Sequence, residues 1–313
     1  MEQLRHCPIC RSERFASHYR GRSTRTPEDG HTWSVDRCAD CGLQFLNPQP
    51  AWEDLAAYYT ADYNAYDSMH GARGQTLEAA VEAAKSTGEI RHIQVPRGKR
   101  LLDVGCGGGW FLRVAQQMGA EVYGVEPSRT AAEGVRSRGI EVFNGTVIEF
   151  SQAWRGPRFD VVTSNHVLEH APNPVEVLEA MKSVLADDGF IWISVPNAAC
   201  RAARLLRDRW HSTDLPFHLM QFTPQVLGLA AQRAGLSVRR AYTYSLPTAV
   251  ASSVRQFLRQ RLWIPHRLTE RLSLIDQRLS PWMAARIDAH GAGEAVVTEL
   301  VPASRQARST QLS

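Results

Sequence analysis

The chain has 313 residues, 43% of them hydrophobic and 22% charged, with a formal net charge of +4. This composition fits a globular enzyme with one large and one small domain, and so mild a charge argues against nucleic acid as the main partner. Residues 1–10 hold no apolar core of signal-peptide length, and no later stretch is apolar long enough to span a bilayer, so the cytoplasm, away from any membrane, is the expected setting.

Four of the six cysteines form two C-x-x-C pairs, Cys7-Pro8-Ile9-Cys10 and Cys38-Ala39-Asp40-Cys41. In a reducing compartment such pairs point to metal rather than disulfide. Four thiolates fill the tetrahedral sphere of zinc and leave no open position, which predicts a structural zinc ribbon over residues 1–46. The competing reading is four unrelated cysteines. Arg11, Arg14, Arg20, Arg22 and Arg25 lie between the pairs, either as a solvated face or as a substrate contact.

Residues 47–96 read as a helical connector opened by Pro48 and Pro50. Its tyrosines, Tyr58, Tyr59, Tyr63 and Tyr66, are core or the roof of an active site, with Tyr63 the expected substrate contact. A helix is expected over 77–93, leading into Pro96.

The next stretch organises the chain: Leu101-Leu102-Asp103-Val104-Gly105-Cys106-Gly107-Gly108-Gly109. It reads as a buried strand ending in a glycine turn, followed by a helix over 110–118 whose free N–H groups face the turn. Strands are expected at 121–125, 140–143, 159–164, 190–195 and 236–244, with helices at 130–138, 174–185 and 223–234. Thr223 is the expected N-cap of the last helix, with Pro224 in its first turn. Alternating strands and helices over 97–246 predict a doubly wound α/β sheet that binds ligands at its strands' carboxyl ends. Residues 247–292 read as a helical insertion, an arginine-rich amphipathic helix over 250–287, serving as a lid or as a homodimer interface. A last strand over 293–301 returns to the sheet, and 302–313 is a polar, disordered tail.

The glycines run G-x-G-x-G, and the last glycine of a dinucleotide fingerprint would fall on Trp110. A tryptophan there defeats the close helix–strand packing that glycine serves. Glu126 closes the second strand where an acid grips a ribose diol.

Together, residues 101–109, Val125-Glu126-Pro127-Ser128, Phe159-Asp160-Val161-Val162 and Asn165-His166-Val167-Leu168-Glu169-His170 resemble the motifs of class I S-adenosylmethionine-dependent methyltransferases. Val195-Pro196-Asn197 and the segment from His218 to Pro224 resemble the later motifs of the ubiquinone-biosynthesis O-methyltransferases. The ribbon, connector and helical insertion are similar, more loosely, to bacterial methyltransferases of sugar and secondary-metabolite pathways. The resemblance implies a Rossmann-like, mostly parallel sheet and S-adenosylmethionine as cofactor. It implies Asp103, Gly105, Cys106 and Gly107 on the methionine side, with Glu126 and Pro127 at the ribose. Asn144, Gly145 and Thr146 would reach adenine, and Asn165 would stand at the transfer site.

Methyl transfer from a sulfonium is an in-line displacement in which alignment does much of the work, and an oxygen nucleophile gains from a histidine base. His218, in an irregular loop, is the first candidate and His166 the second. His170 is either a third candidate or a structural cap. His166, Glu169 and His170 could instead hold a divalent ion, although magnesium prefers oxygen donors. Asn197, Arg207 and Arg209 are the expected substrate contacts, the arginines suiting a phosphorylated or nucleotide-linked acceptor. The expected reaction is methylation of a hydroxyl on a sugar or secondary-metabolite intermediate. The alternatives are C-methylation of a keto-sugar, rRNA base methylation, a non-methylating use of the same cofactor, and a non-catalytic scaffold.

Overall fold

The computed structural model describes residues 1–23, 30–51, 76–87, 89–90, 93–94, 97–270 and 279–304. The first region forms strands β1 (Phe15–Arg22), β2 (Thr32–Cys38) and β3 (Gln44–Leu46), paired antiparallel in that order. Trp33, Val35 and Leu46 on one face and Phe45 on the other are buried and join the core of the main domain.

The tyrosines at 58, 59, 63 and 66 lie outside the described residues. Helix α1 (Leu77–Thr87) is shorter than the expected helix over 77–93. Beyond it β4 (Glu89–Ile90) pairs with β5 (Ile93–Gln94). The sequence accounts for the stop, because Gly88 follows Thr87 and the β-branched Ile90 and Ile93 favour extended backbone.

The main domain then runs β6 (Arg100–Val104), α2 (Trp110–Gln117), β7 (Glu121–Glu126), α3 (Arg129–Arg136), β8 (Glu141–Asn144), α4 (Val147–Ala153) and β9 (Phe159–Asn165). It continues with α5 (Pro174–Ser183), β10 (Leu185–Pro196), α6 (Arg201–Leu206), β11 (Met220–Gln221), α7 (Pro224–Arg233) and β12 (Leu236–Tyr244). Helices α8 (Pro247–Arg261), α9 (His266–Glu270) and α10 (Ser280–Ala289) precede β13 (Ala295–Pro302).

Seven strands form one sheet in the order β12-β13-β10-β9-β6-β7-β8. From β8 to β10 every pairing is parallel, whereas β13 is antiparallel to both β10 and β12. The last strand therefore inserts between two earlier ones, and the sheet is parallel only over its first five strands. Leu101, Leu102, Val161, Val162, Ile191 and Ile193 are at most 2% exposed. Helices on both faces explain why these strands read as continuous apolar runs rather than alternating ones.

Two local findings differ from the sequence reading. The amphipathic stretch over 250–287 is not one helix: α8 ends at Arg261, Trp263 takes a positive φ of 55°, and Pro265 precedes α9. Helix α4 was not expected at all. Its signal is a capping box, in which Thr146 Oγ1 accepts from Glu149 N while Glu149 accepts from Thr146 N. Thr223 caps α7 as expected, accepting from Val226 N. No helix among the described residues is long and apolar enough to cross a membrane.

Candidate active site

The cradle lies at the carboxyl ends of β6 and β7. Gly105, Gly107 and Gly109 have φ of 71°, 52° and 76°, a region that favours glycine. Two of these glycines also serve the protein's own packing. A Cβ on Gly105 would collide with Val167, and one on Gly109 would lie 2.8 Å from Val135 of α3. The first contact matters for chemistry, since it lays the loop after β9 directly on the cradle.

Glu126 is 5% exposed, and its two oxygens accept from Gly107 N (2.9 Å) and Ser128 N (2.8 Å). Burial nevertheless raises its pKa, against those two donors. One lone pair on each oxygen remains, so the carboxylate is aimed for a further pair of donors. Asp103, 2% exposed, accepts from Thr163 Oγ1 at 2.7 Å. Asn144 ties down the carbonyls of Glu126 and Pro127, and Gly145 N bonds the Glu126 carbonyl. Cys106 is buried, which drives its thiol pKa far up and leaves it inert.

Beside the cradle stands a cluster of histidines and acids. β9 ends at Asn165, and His166 follows in left-handed backbone with φ of 54°, an uncommon state for a non-glycine residue and one concentrated at functional sites. His166 Nδ1 lies 3.1 Å from Glu169 Oε1, and the imidazole is 41% exposed while the carboxylate is 1% exposed. The Nδ1–H therefore donates inward to Glu169, which leaves Nε2 of this partly exposed ring as the free acceptor. Glu169 stays anionic, with its pKa held at about 2. Burial opposes this, but the hydrogen bond from His166 and the neighbouring imidazoles of His166, His170 and His218 outweigh it.

His218 and His170 both turn inward. His218 donates from Nδ1 to the Ser212 carbonyl at 2.7 Å, and its Nε2 stands 3.9 Å from both Glu169 and Asp214. His170 donates from Nδ1 to the Phe217 carbonyl at 2.8 Å. Burial, with His218 beside it, brings its pKa down to about 4, so it is neutral at pH 7. One donor atom from each of Glu169, His170 and His218 can be found within 4.8 Å of the others. Glu169 Oε2 has no hydrogen-bond partner among the described residues.

Two further groups complete this edge of the sheet. His211 Nε2 is 3.8 Å from Glu294 Oε2, and His211 Nδ1 is 3.4 Å from Ser253 Oγ. Burial raises Glu294 to about 7, while burial and the nearby His218 and His166 lower His211 to about 4.

A family model for a methyltransferase domain matches residues 78–241, just over half of the chain. The chain belongs to the class I S-adenosylmethionine-dependent methyltransferases. Among curated relatives it is similar to the ubiquinone biosynthesis O-methyltransferase of Haemophilus ducreyi, 35% identical over 120 residues, or 35% of this chain and 50% of that protein. The enzyme of the same description from Bordetella avium is 27% identical over 216 residues, covering 63% of this chain and 84% of that one. The chain thus spans about half the length of the first of these relatives and most of the second. A solved complex between the Haloferax volcanii Trm112 methyltransferase activator and a methyltransferase matches in fold, with a TM-score of 0.50, 15% identity, and coverage of 81% of this chain and 98% of that one.

In this methyltransferase the expected cofactor residues Asp103, Gly105, Cys106, Gly107, Glu126, Pro127, Gly145 and Asn165 gather along adjoining strand ends. Thr146 is engaged in the α4 cap, so its hydroxyl serves the helix. The expected substrate contacts fare differently. Asn197 is 2% exposed, its amide donating to the Gly293 carbonyl and accepting from Ala199 N, and it works as a structural anchor. Arg207 and Arg209 are exposed on a short 3-10 turn that packs on β1, the ribbon side. Tyr63 lies outside the described residues.

The four ribbon cysteines converge. Cys7 Sγ is 3.5 Å from Cys41 Sγ, and Cys10 Sγ is 3.5 Å from Cys38 Sγ. A ZnS4 tetrahedron with bonds of about 2.3 Å has edges of roughly 3.8 Å, so the donor set fits zinc with little adjustment. Burial raises the thiols of Cys7 and Cys41. Cys38 is lowered to about 7, because the backbone N–H groups of Cys41 and Asp40 outweigh its burial.

Proposed function

We propose that this enzyme transfers the methyl group of S-adenosylmethionine to a hydroxyl of a small-molecule acceptor, with His166 taking the proton. The observation that carries this reading is the His166–Glu169 pair, a solvent-facing imidazole whose inner nitrogen donates at 3.1 Å to a buried carboxylate. The cofactor supplies an activated methyl on a sulfonium whose leaving thioether is neutral, so no acid is needed at the leaving group. Glu126 would hold the ribose hydroxyls, and the 105–109 turn the amino-acid end. Glu169 fixes the tautomer of His166 and stabilises the imidazolium formed when Nε2 accepts the acceptor's proton. His218, first choice on sequence, suits this role poorly because its Nδ1 is bonded to the Ser212 carbonyl and its Nε2 is enclosed by two acids.

The relatives named for ubiquinone biosynthesis favour an oxygen acceptor. A sugar or secondary-metabolite hydroxyl remains our choice, and the cytoplasm the setting, where ribbon thiols stay reduced. Structural zinc on Cys7, Cys10, Cys38 and Cys41 belongs to the same reading. Phe257, Leu262, Trp263, Leu268 and Trp282, all at least 37% exposed, support a homodimer through the 247–292 helices.

The acceptor assignment is tested by incubating the enzyme and a metabolite pool with methyl-labelled cofactor and identifying the labelled product by mass spectrometry. Label on an oxygen supports the reading, and label on carbon or RNA contradicts it. A second reading rests on the cluster of Glu169, His170 and His218. Both imidazoles spend Nδ1–H on a backbone carbonyl, which leaves Nε2 as the donor atom, and that of His218 stands 3.9 Å from Glu169, an arrangement that prepares histidine for a metal. Two nitrogens and one carboxylate suit a transition metal better than magnesium. Metal analysis should then find two ions per chain, falling to one in His170→Ala. A single ion in both proteins removes this reading.

A further inference from the structure

The ribbon does not merely sit beside the catalytic domain. β11, the two residues Met220 and Gln221, pairs with β3 of the ribbon, Met220 opposite Phe45 and Gln221 opposite Gln44. Leu46 N extends this ladder to the Leu219 carbonyl at 2.9 Å. The ribbon sheet therefore has the order β1-β2-β3-β11, and its fourth strand begins two residues after His218.

The cysteine cluster controls the position of β3 through a short covalent path. Cys38 ends β2, and the Cys38–Cys41 knuckle is itself the turn between β2 and β3. The turn closes by Cys38 N to the Leu43 carbonyl and Gly42 N to the Cys38 carbonyl. On the other side, the loop joined to β11 carries the acceptor-side groups. Gln221 donates to the Thr213 carbonyl at 3.0 Å, the Ser212 carbonyl sets the tautomer of His218, and the Phe217 carbonyl sets that of His170. β1 braces the same segment, since a Cβ on Gly21 would lie 2.6 Å from Asp208 Cβ and 3.0 Å from Leu215 Cδ1.

We propose that ribbon strand Gln44–Leu46 is a positioning element of the active site, and that metal on the four cysteines holds the 212–222 loop, with His218, against Glu169 and His170. The cofactor cradle, built from β6 and β7, does not depend on this path. The inference uses the acceptor-side assignment above, but its test involves no methyl transfer, so either can fail without the other.

The test compares wild type with Cys41→Ser and Cys41→His by zinc content, hydrogen exchange and calorimetric titration with S-adenosylmethionine. Serine removes a ligand, whereas histidine can replace a thiolate on zinc. In Cys41→Ser, zinc is lost, amide exchange over 212–222 rises at least about tenfold, exchange over 100–126 is unchanged, and the cofactor binds within about twofold of wild type. In Cys41→His, zinc and the protection of 212–222 return together. Cys10→Ser, on the other knuckle, repeats the serine result. Faster exchange confined to residues 1–46 overturns the proposal, and so does loss of protection throughout 100–126. Wild-type protein with no zinc on the thiols, or histidine restoring zinc without restoring the loop, also overturns it.

Discussion

The two halves of the site are built from different materials. The cofactor side is mostly backbone. Glycines in left-handed conformation make the turn, and peptide N–H groups of Gly107 and Ser128 aim Glu126. The acceptor side is made of side chains, a buried anion beside three histidines, of which His166 bonds the anion itself while His170 and His218 have their tautomers set by distant carbonyls. The first half is local in sequence. The second assembles residues 166–170, 211–218 and 294, and rests on a strand of the ribbon. On the proposed assignments, the comparison predicts that substitutions disrupt binding and chemistry separately.

The largest separation should come from Glu126→Ala. It removes a buried carboxylate that we assign to two hydroxyls, at about 1.5–3 kcal/mol for each charge-assisted bond. Calorimetry should show cofactor affinity reduced about 100-fold or more, with the acceptor side intact. His166→Asn should do the reverse. Transfer should fall roughly 100-fold or more, the range of general base catalysis, while cofactor affinity stays within about twofold.

The buried acids give smaller effects, of opposite sign with pH. Glu169 has a folded pKa of about 2, below its ordinary value, so the stability it contributes is present above the ordinary carboxylate range and is lost as pH falls toward 2. Glu294 is raised to about 7, so the folded state holds its proton longer than the unfolded chain does, and stability declines as pH rises from the ordinary carboxylate range through 7. Glu294→Gln should remove that decline. Its melting temperature relative to wild type should increase on the order of a few degrees between pH 5 and 8 in scanning calorimetry, whereas a constant difference contradicts the assignment. The smallest effect is expected from Thr223→Ala, about 1 kcal/mol of stability for the lost α7 cap in a denaturant titration, with cofactor affinity unchanged.

The same contrast explains what could be read from the chain. The cradle was legible because its parts are contiguous, from Asp103 to Gly109, with Glu126 one strand further on. Most of the main strands were legible from apolar runs, although β12 carries Arg239 and Arg240 and is only partly buried. The antiparallel insertion of β13 was not, since pairing partners leave no mark on a strand's own residues. Helix α4 has a readable signal in its capping box of Thr146 and Glu149. The ranking of the histidines proposed above differs from the one the sequence suggests, for a physical reason. Exposure and tautomer depend on the carbonyls of Ser212 and Phe217, which no local pattern announces. Glu294, a single acid ahead of a strand, carried no signal at all.

The most direct measurement is single-turnover transfer of labelled methyl by His166→Asn at saturating S-adenosylmethionine, with cofactor binding followed by calorimetry in the same preparation. The account predicts intact binding and transfer slowed roughly 100-fold or more. Transfer at the wild-type rate with intact binding would contradict it.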